Sequence, residues 1–355
     1  GVDPTTTDIT TFSPTTTSPI PEPTFASSTG SVDDTSTGSA TTTDDTTDET
    51  TGHPDTTGIL PDFGGEGLGC GGKIDFLFVL DRYMGNEERW ARMDAALTQV
   101  RPKFVEWFAN FDTHWMVIDG EQLWGLDCES ICAATNGQTC EPHGPPDYPC
   151  APYTDGSITE CDNIRGAGLT FPAGYESSNK RCELAGGERY IQSSIEPDLL
   201  DALTCTTTVG FSDTLTSAEW EMIEALKPTQ TKVPGGCNLG FLRDDALLVV
   251  VFFTGYSATD SSIAGQPSEW AAALHDAKFG DQDKVAVIGI ITDRSSEEPT
   301  VCPKIGSGYS SDVEEFLHYH IKHFVHGSIC AEDYSPILLE GMEMALELCG
   351  AEVPR

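Results

Sequence analysis

An α/β fold with a mostly parallel sheet covered by helices on both faces is what the sequence predicts, on three observations. The runs 74–80, 115–118, 247–253 and 285–291 are short, almost continuously apolar and rich in β-branched and aromatic residues, as strands buried on both faces are. Between them, apolar residues return every three or four positions, the period of an amphipathic helix. All 12 cysteines and all 19 Lys and Arg fall after residue 66, so the folded part is one large unit, 67–355.

In chain order, the strand 74–80 leads into a helix over 87–108, where Trp90, Met93, Leu97, Val100, Phe104 and Trp107 form one buried stripe. After the strand 115–118, the segment 119–182 holds six Cys among many Gly and Pro and reads as a disulfide-stapled insertion too irregular for the sheet. A helix near Leu199 and one over 217–226 precede the strand 247–253. Helices over 268–278, 312–324 and 336–348 surround the strand 285–291 and close the chain.

Residues 1–66 are different in kind. They lack Lys, Arg and Cys, are dominated by Thr, Ser, Pro, Gly and Asp, and carry no hydrophobic period, so they cannot bury enough apolar surface to offset the entropy of ordering. The clusters Thr5-Thr6-Thr7, Thr15-Thr16-Thr17 and Thr41-Thr42-Thr43 among prolines have the composition of an O-glycosylated stalk. No Asn-x-Ser/Thr sequon occurs. Fully stretched, such a segment reaches on the order of 200 Å at ~3.3 Å per residue, which suits a stalk or a strap lying on another subunit.

The formal charge of −38 disfavours nucleic acid and anionic membrane surfaces. The longest apolar run, 246–253, is too short for the ~20 residues of a membrane span. Cysteines in even number at wide, uneven spacings, without paired C-x₂-C motifs, favour a disulfide framework over zinc thiolates and place the protein in an oxidising compartment. The chain opens on Gly1 without Met, from which an export signal already removed is expected.

The stretch Ile74-Asp75-Phe76-Leu77-Phe78-Val79-Leu80-Asp81-Arg82-Tyr83-Met84-Gly85 has the outline of a metal-ion-dependent adhesion strand. With Pro172-Ala173-Gly174, 185–191, Gly240-Phe241-Leu242-Arg243 and Ser328-Ile329-Cys330-Ala331-Glu332-Asp333-Tyr334, it resembles secreted von Willebrand factor A-like proteins of myxobacterial type over about residues 70–350. The resemblance implies a Rossmann-like, six-stranded, mainly parallel sheet with any cation at the carboxyl ends of its strands. The family's site reads Asp-x-Ser-x-Ser with a Thr and an Asp from two further loops, all hard oxygen donors. Asp81 matches the first position, with Arg82 beside it as a candidate charge partner. Tyr83, Gly85, Phe211 and Gly255 stand where the other donors belong, so no cofactor or metal is expected, and Thr208, Ser212 and Asp213 are the only substitutes in view. The family also pairs Cys330 with Cys349 around the last helix, and Cys205 with Cys237 is a second candidate bridge.

Two other constellations invite chemistry. His318, His320, His323 and His326 sit at helical spacing on the expected helix, either as a solvated face or as paired ligands. Ser257, Asp293 and His318 follow a serine-hydrolase order, but Thr259 stands where the nucleophile elbow needs glycine. The expectation is therefore an exported bacterial protein, extracellular or on the cell surface and not an enzyme: a structural or adhesive subunit of a filament-like assembly. It would meet protein partners, self-associate through its tail and carry glycans. A cation-dependent adhesion module built on Asp81 and Asp213 is the alternative, and a hydrolase the third reading.

Overall fold

A computed structural model describes residues 70–353, apart from 85, 120–131, 134–138, 141–147, 212–216, 256–264 and 293–311. The tail with its threonine clusters, Gly85, Ser212, Asp213, Ser257 and Asp293 lie outside the described residues.

Six strands form one sheet: β1 (Lys73–Leu80), β2 (Asp112–Asp119), β5 (Ile191–Gln192), β6 (Leu247–Phe253), β7 (Val285–Ile291) and β8 (His323–Ser328), in the order β5-β2-β1-β6-β7-β8. Every pairing is parallel except β5 on β2. A separate two-stranded hairpin, β3 (Thr139–Cys140) with β4 (Tyr148–Pro149), belongs to the insertion. Five helices of nine or more residues cover the sheet: α1 (Glu87–Trp107), α2 (Leu199–Thr207), α3 (Ala218–Leu226), α4 (Pro267–Ala277) and α5 (Ser335–Leu348).

Alternation along the strands sends side chains to two separate cores. Phe76, Phe78, Val249, Val251 and Ile288 face α1, α2 and α5, packing on Met93, Leu97, Phe104, Leu203, Leu338 and Met342. Leu77, Val79, Leu248, Val250 and Val287 face α3 and α4, against Met222, Trp270 and Leu274. The helices begin where their caps dictate. Asn86 accepts the Arg89 N–H at 2.9 Å to start α1, Ser217 accepts the Trp220 N–H to start α3, and a Gln266–Glu269 capping box with Pro267 starts α4.

Two expectations are corrected. The segment 312–324 is not one helix: a turn over Asp312–Glu315 and a π-helical turn over Phe316–His320 give way at Ile321 to β8, which pairs with β7 from His323 onward. The histidine spacing imitates a helix, but an open parallel edge on β7 rewards extension of Phe324 and Val325. The bridges are Cys70–Cys349, Cys132–Cys150, Cys161–Cys237 and Cys182–Cys205, with Cys140 and Cys330 also disulfide-bonded. Cys330 cannot reach Cys349, because the 14 residues of α5 between them hold them about 20 Å apart, against a Cα separation of ~4–7 Å in a disulfide. Cys205 cannot meet Cys237, because α2 packs in the first core while the loop that carries Cys237 runs into Phe241 of the second.

The amino ends of the strands are locked by a buried charge cluster. Asp75 accepts from the Arg243 Nε at 2.8 Å, the Arg243 backbone N–H at 2.9 Å and the Lys278 Nζ at 3.1 Å, and Lys278 also donates to the Arg243 carbonyl at 2.7 Å. Both acid and ammonium are fully buried, so each needs the other.

Candidate functional site

The carboxyl ends of β1 and β6 meet where open α/β sheets bind ligands. Asp81 leaves β1 there with 1% of its surface exposed. Its Oδ1 accepts the Tyr83 N–H at 2.9 Å and its Oδ2 the Gly255 N–H at 3.0 Å. Burial pushes the carboxyl up to about 6, against the pull of the Gly255, Tyr83 and Met84 N–H groups. The carboxylate thus ties two loops of its own chain together.

Met84 follows in the same loop. Its side chain is fully buried in the first core and its backbone takes φ 48°, a left-handed conformation uncommon outside glycine. That turn brings the Met84 backbone onto Gly255: a Cβ at 255 would lie 2.2 Å from the Met84 carbonyl carbon. Glycine at 255 is therefore a packing requirement of the loop.

Phe211 is joined to Tyr175 by an antiparallel bridge, its N–H donating to the Tyr175 carbonyl at 3.0 Å, and its ring lies 6.3 Å from Trp90. The Thr208 hydroxyl donates to the Thr204 carbonyl at 2.6 Å and so is bonded within the end of α2. Arg82 points to the insertion side, where Nε donates to the Gly210 carbonyl at 2.7 Å, Nη2 to the Ala173 carbonyl at 2.9 Å, and Nη1 stands 3.5 Å from Asp119. Its carboxylate neighbour is thus Asp119.

Sequence reasoning missed Glu219. It sits in the first turn of α3, fully buried, with Oε2 accepting from the Ser217 hydroxyl at 3.0 Å and Oε1 lacking a hydrogen-bond partner among the described residues. Burial pushes its carboxyl up to about 7, and the charges of Asp81 and Asp312 add to the effect. A Ser-Ala-Glu triplet at a helix start looks like a solvated first-turn acid, so nothing in the pattern marks it as buried.

A second charged cluster was also missed. Asp162 lies between Arg181 and Arg189, at 2.7 Å from each, and both lower its carboxyl pKa against the opposing effect of burial. Glu221 holds Arg165 and the Gly166 N–H at 2.8 Å, and Arg165 stacks on Trp220 at 3.8 Å. With Arg82 and Asp119, the Asp162, Arg189, Arg165 and Glu221 side chains line a cavity of about 30 Å³, room for one water. They cross-link the insertion to the sheet.

The four histidines do not share one helical face. His318, on the π-helical turn, packs its ring 5.1 Å from His326 of β8 and 5.1 Å from Phe324, while His323 bonds Asp283 at 3.0 Å. Among the described residues no group of three or more His, Cys, Asp or Glu is placed to hold a metal ion.

The architecture, a six-stranded, mostly parallel sheet between two helical layers, fits a von Willebrand factor A-like α/β fold. No family model matches the chain, and no curated protein matches it. Among solved structures it is similar to proximal thread matrix protein 1 from the mussel byssus, with a TM-score of 0.34 and 13% identity over 79% of this chain and 49% of that one. The chain thus spans about half that protein's length. Disulfides fit an oxidising, extracellular setting, and no helix among the described residues is long and apolar enough to cross a membrane.

Proposed function

We propose that this is an exported, non-enzymatic structural or adhesive protein, a subunit of an extracellular or surface assembly built on a von Willebrand factor A-like domain whose cation site has decayed. The domain is 67–355, with its disulfide-rich insertion at 119–182, and residues 1–66 are a separate stalk or strap, carrying glycans on Thr5–Thr7, Thr15–Thr17 and Thr41–Thr43, through which copies associate. The observation that supports the reading is the close approach of the Met84 backbone to Gly255, together with an Asp81 carboxylate that accepts from the Tyr83 and Gly255 N–H groups of its own loops. Tyr83, Phe211 and Gly255 bring no suitable donor to that point.

One observation favours a second reading, a cation-dependent adhesion module with a rearranged site: the unpaired Oε1 of Glu219, electrostatically coupled to Asp81. Sedimentation of the full chain over a concentration series, with and without chelator, separates the two. Association that ignores chelator is expected. Association only in the presence of Mg²⁺, Mn²⁺ or Ca²⁺ would favour the second reading, and a chain monomeric under every condition would end the assembly reading.

A further inference from the structure

Phe279 stands out against the rest of the surface. It follows α4 as the residue after the C-cap, a place usually taken by glycine because the backbone there is left-handed, and its φ is 56°. Gly280, the next residue, donates its N–H to the His275 carbonyl at 2.8 Å, which closes the turn. A bulky ring at positive φ is strained, and this one is also 67% exposed, so folding gains little from it. The strain is held in place by the adjacent Lys278, locked onto buried Asp75.

The ring is one part of a mixed surface. The Lys232 ammonium lies 4.2 Å from its centroid, Val233 beside it is 47% exposed, and Leu239, whose loop is tied back by the Gly240 N–H to the Thr231 carbonyl, is 39% exposed. Next to it Lys73 pairs with Asp245, Lys232 pairs with Asp244, and Lys284 donates to the Asp244 backbone carbonyl at 3.2 Å, so three ammonium groups stand beside two neighbouring acids in a chain of net charge −38. Surface pairs of this kind exchange partners at little cost.

From this we infer that the Phe279 surface is the docking site for the proline-rich part of the tail, residues 18–25, of a second copy. This rests on the proposed self-association and names where it happens. The tail joins the domain at Cys70, at the amino end of β1, the same end of the sheet as Phe279. Forty-four residues separate Phe25 from Cys70, enough to reach a neighbour up to about 150 Å away. The tail has 12 acids and no base, which complements the lysines. Its Ser18-Pro19-Ile20-Pro21-Glu22-Pro23-Thr24-Phe25 run holds three prolines that restrict the chain before docking, two apolar residues, Ile20 and Phe25, to lay on an aromatic ring, and one acid, Glu22, to pair with a lysine.

The test uses the full chain as wild type, Phe279→Gly and Lys232→Glu. Glycine at this turn relieves strain, so Phe279→Gly is expected to melt at or above the wild-type temperature while weakening self-association by about tenfold or more in sedimentation, the loss of an interface anchor. Lys232→Glu is expected to weaken it as well. Carbodiimide cross-linking of a mixture of differently isotope-labelled copies is expected to join tail carboxylates to Lys232 across labels. Wild-type association left unchanged by Phe279→Gly, or Lys232 cross-links confined to one label, would overturn the docking site while leaving self-association standing. A wild-type chain that never associates would overturn both.

Discussion

Gly255 and Met84 decide between an ion and a packed loop at the carboxyl end of the sheet. Restoring the family's acid by Gly255→Asp puts a Cβ against the Met84 backbone, so the variant is expected to lose about 1–3 kcal/mol in urea unfolding and to gain no affinity for Mg²⁺. A stable Gly255→Asp protein that binds Mg²⁺ would show the crevice to be open. Glu219 makes a separate prediction. Its folded-state carboxyl lies near 7 against an ordinary value of 4.5, so the native state holds its proton more tightly than the unfolded chain. The stability this confers is full below about pH 4.5 and is lost as pH rises through about 7, and Asp81 acts in the same direction between about 4 and about 6. Melting is therefore expected to be higher at pH 5 than at pH 8, with Glu219→Gln removing up to about 3 kcal/mol of that difference. An unchanged slope in the variant would assign the pH dependence elsewhere.

Elements whose character is local were legible in the sequence. The strands 247–253 and 285–291 stand where their apolar runs place them, and α1, α3, α4 and α5 begin within one residue of the expected starts. What was not legible depends on partners distant in the chain. Strand β5 has two residues and exists because it pairs with β2, β8 exists because β7 offers an edge, and the bridges follow from which face of the sheet each helix covers. The buried Glu219, Asp75 and Lys278 could not be read from the sequence, since burial of a charge leaves no periodic trace. The bridge Cys70–Cys349 closes a span of 279 residues, and Cys132–Cys150 one of 18. On the chain-entropy account their removal costs about 5 and about 3 kcal/mol respectively. Paired Ser substitutions followed by guanidinium unfolding should show that order, and a larger loss for the short loop would contradict it.

At the scale of the whole molecule, the two cores grip the sheet between them, and the insertion is fastened to the rest of the domain by Arg82, Arg165 and Arg189 together with Cys161–Cys237 and Cys182–Cys205. The −38 charge opposes the approach of copies in general, so the proposed association depends on a local contact such as the Lys232 surface. The central claim, that the crevice above β1 and β6 is packed shut, meets its most direct test in calorimetric titration of the full chain with Mg²⁺, Mn²⁺ and Ca²⁺. No saturable heat is expected from any of the three. Saturable one-to-one binding that disappears in Asp81→Ala would contradict the account.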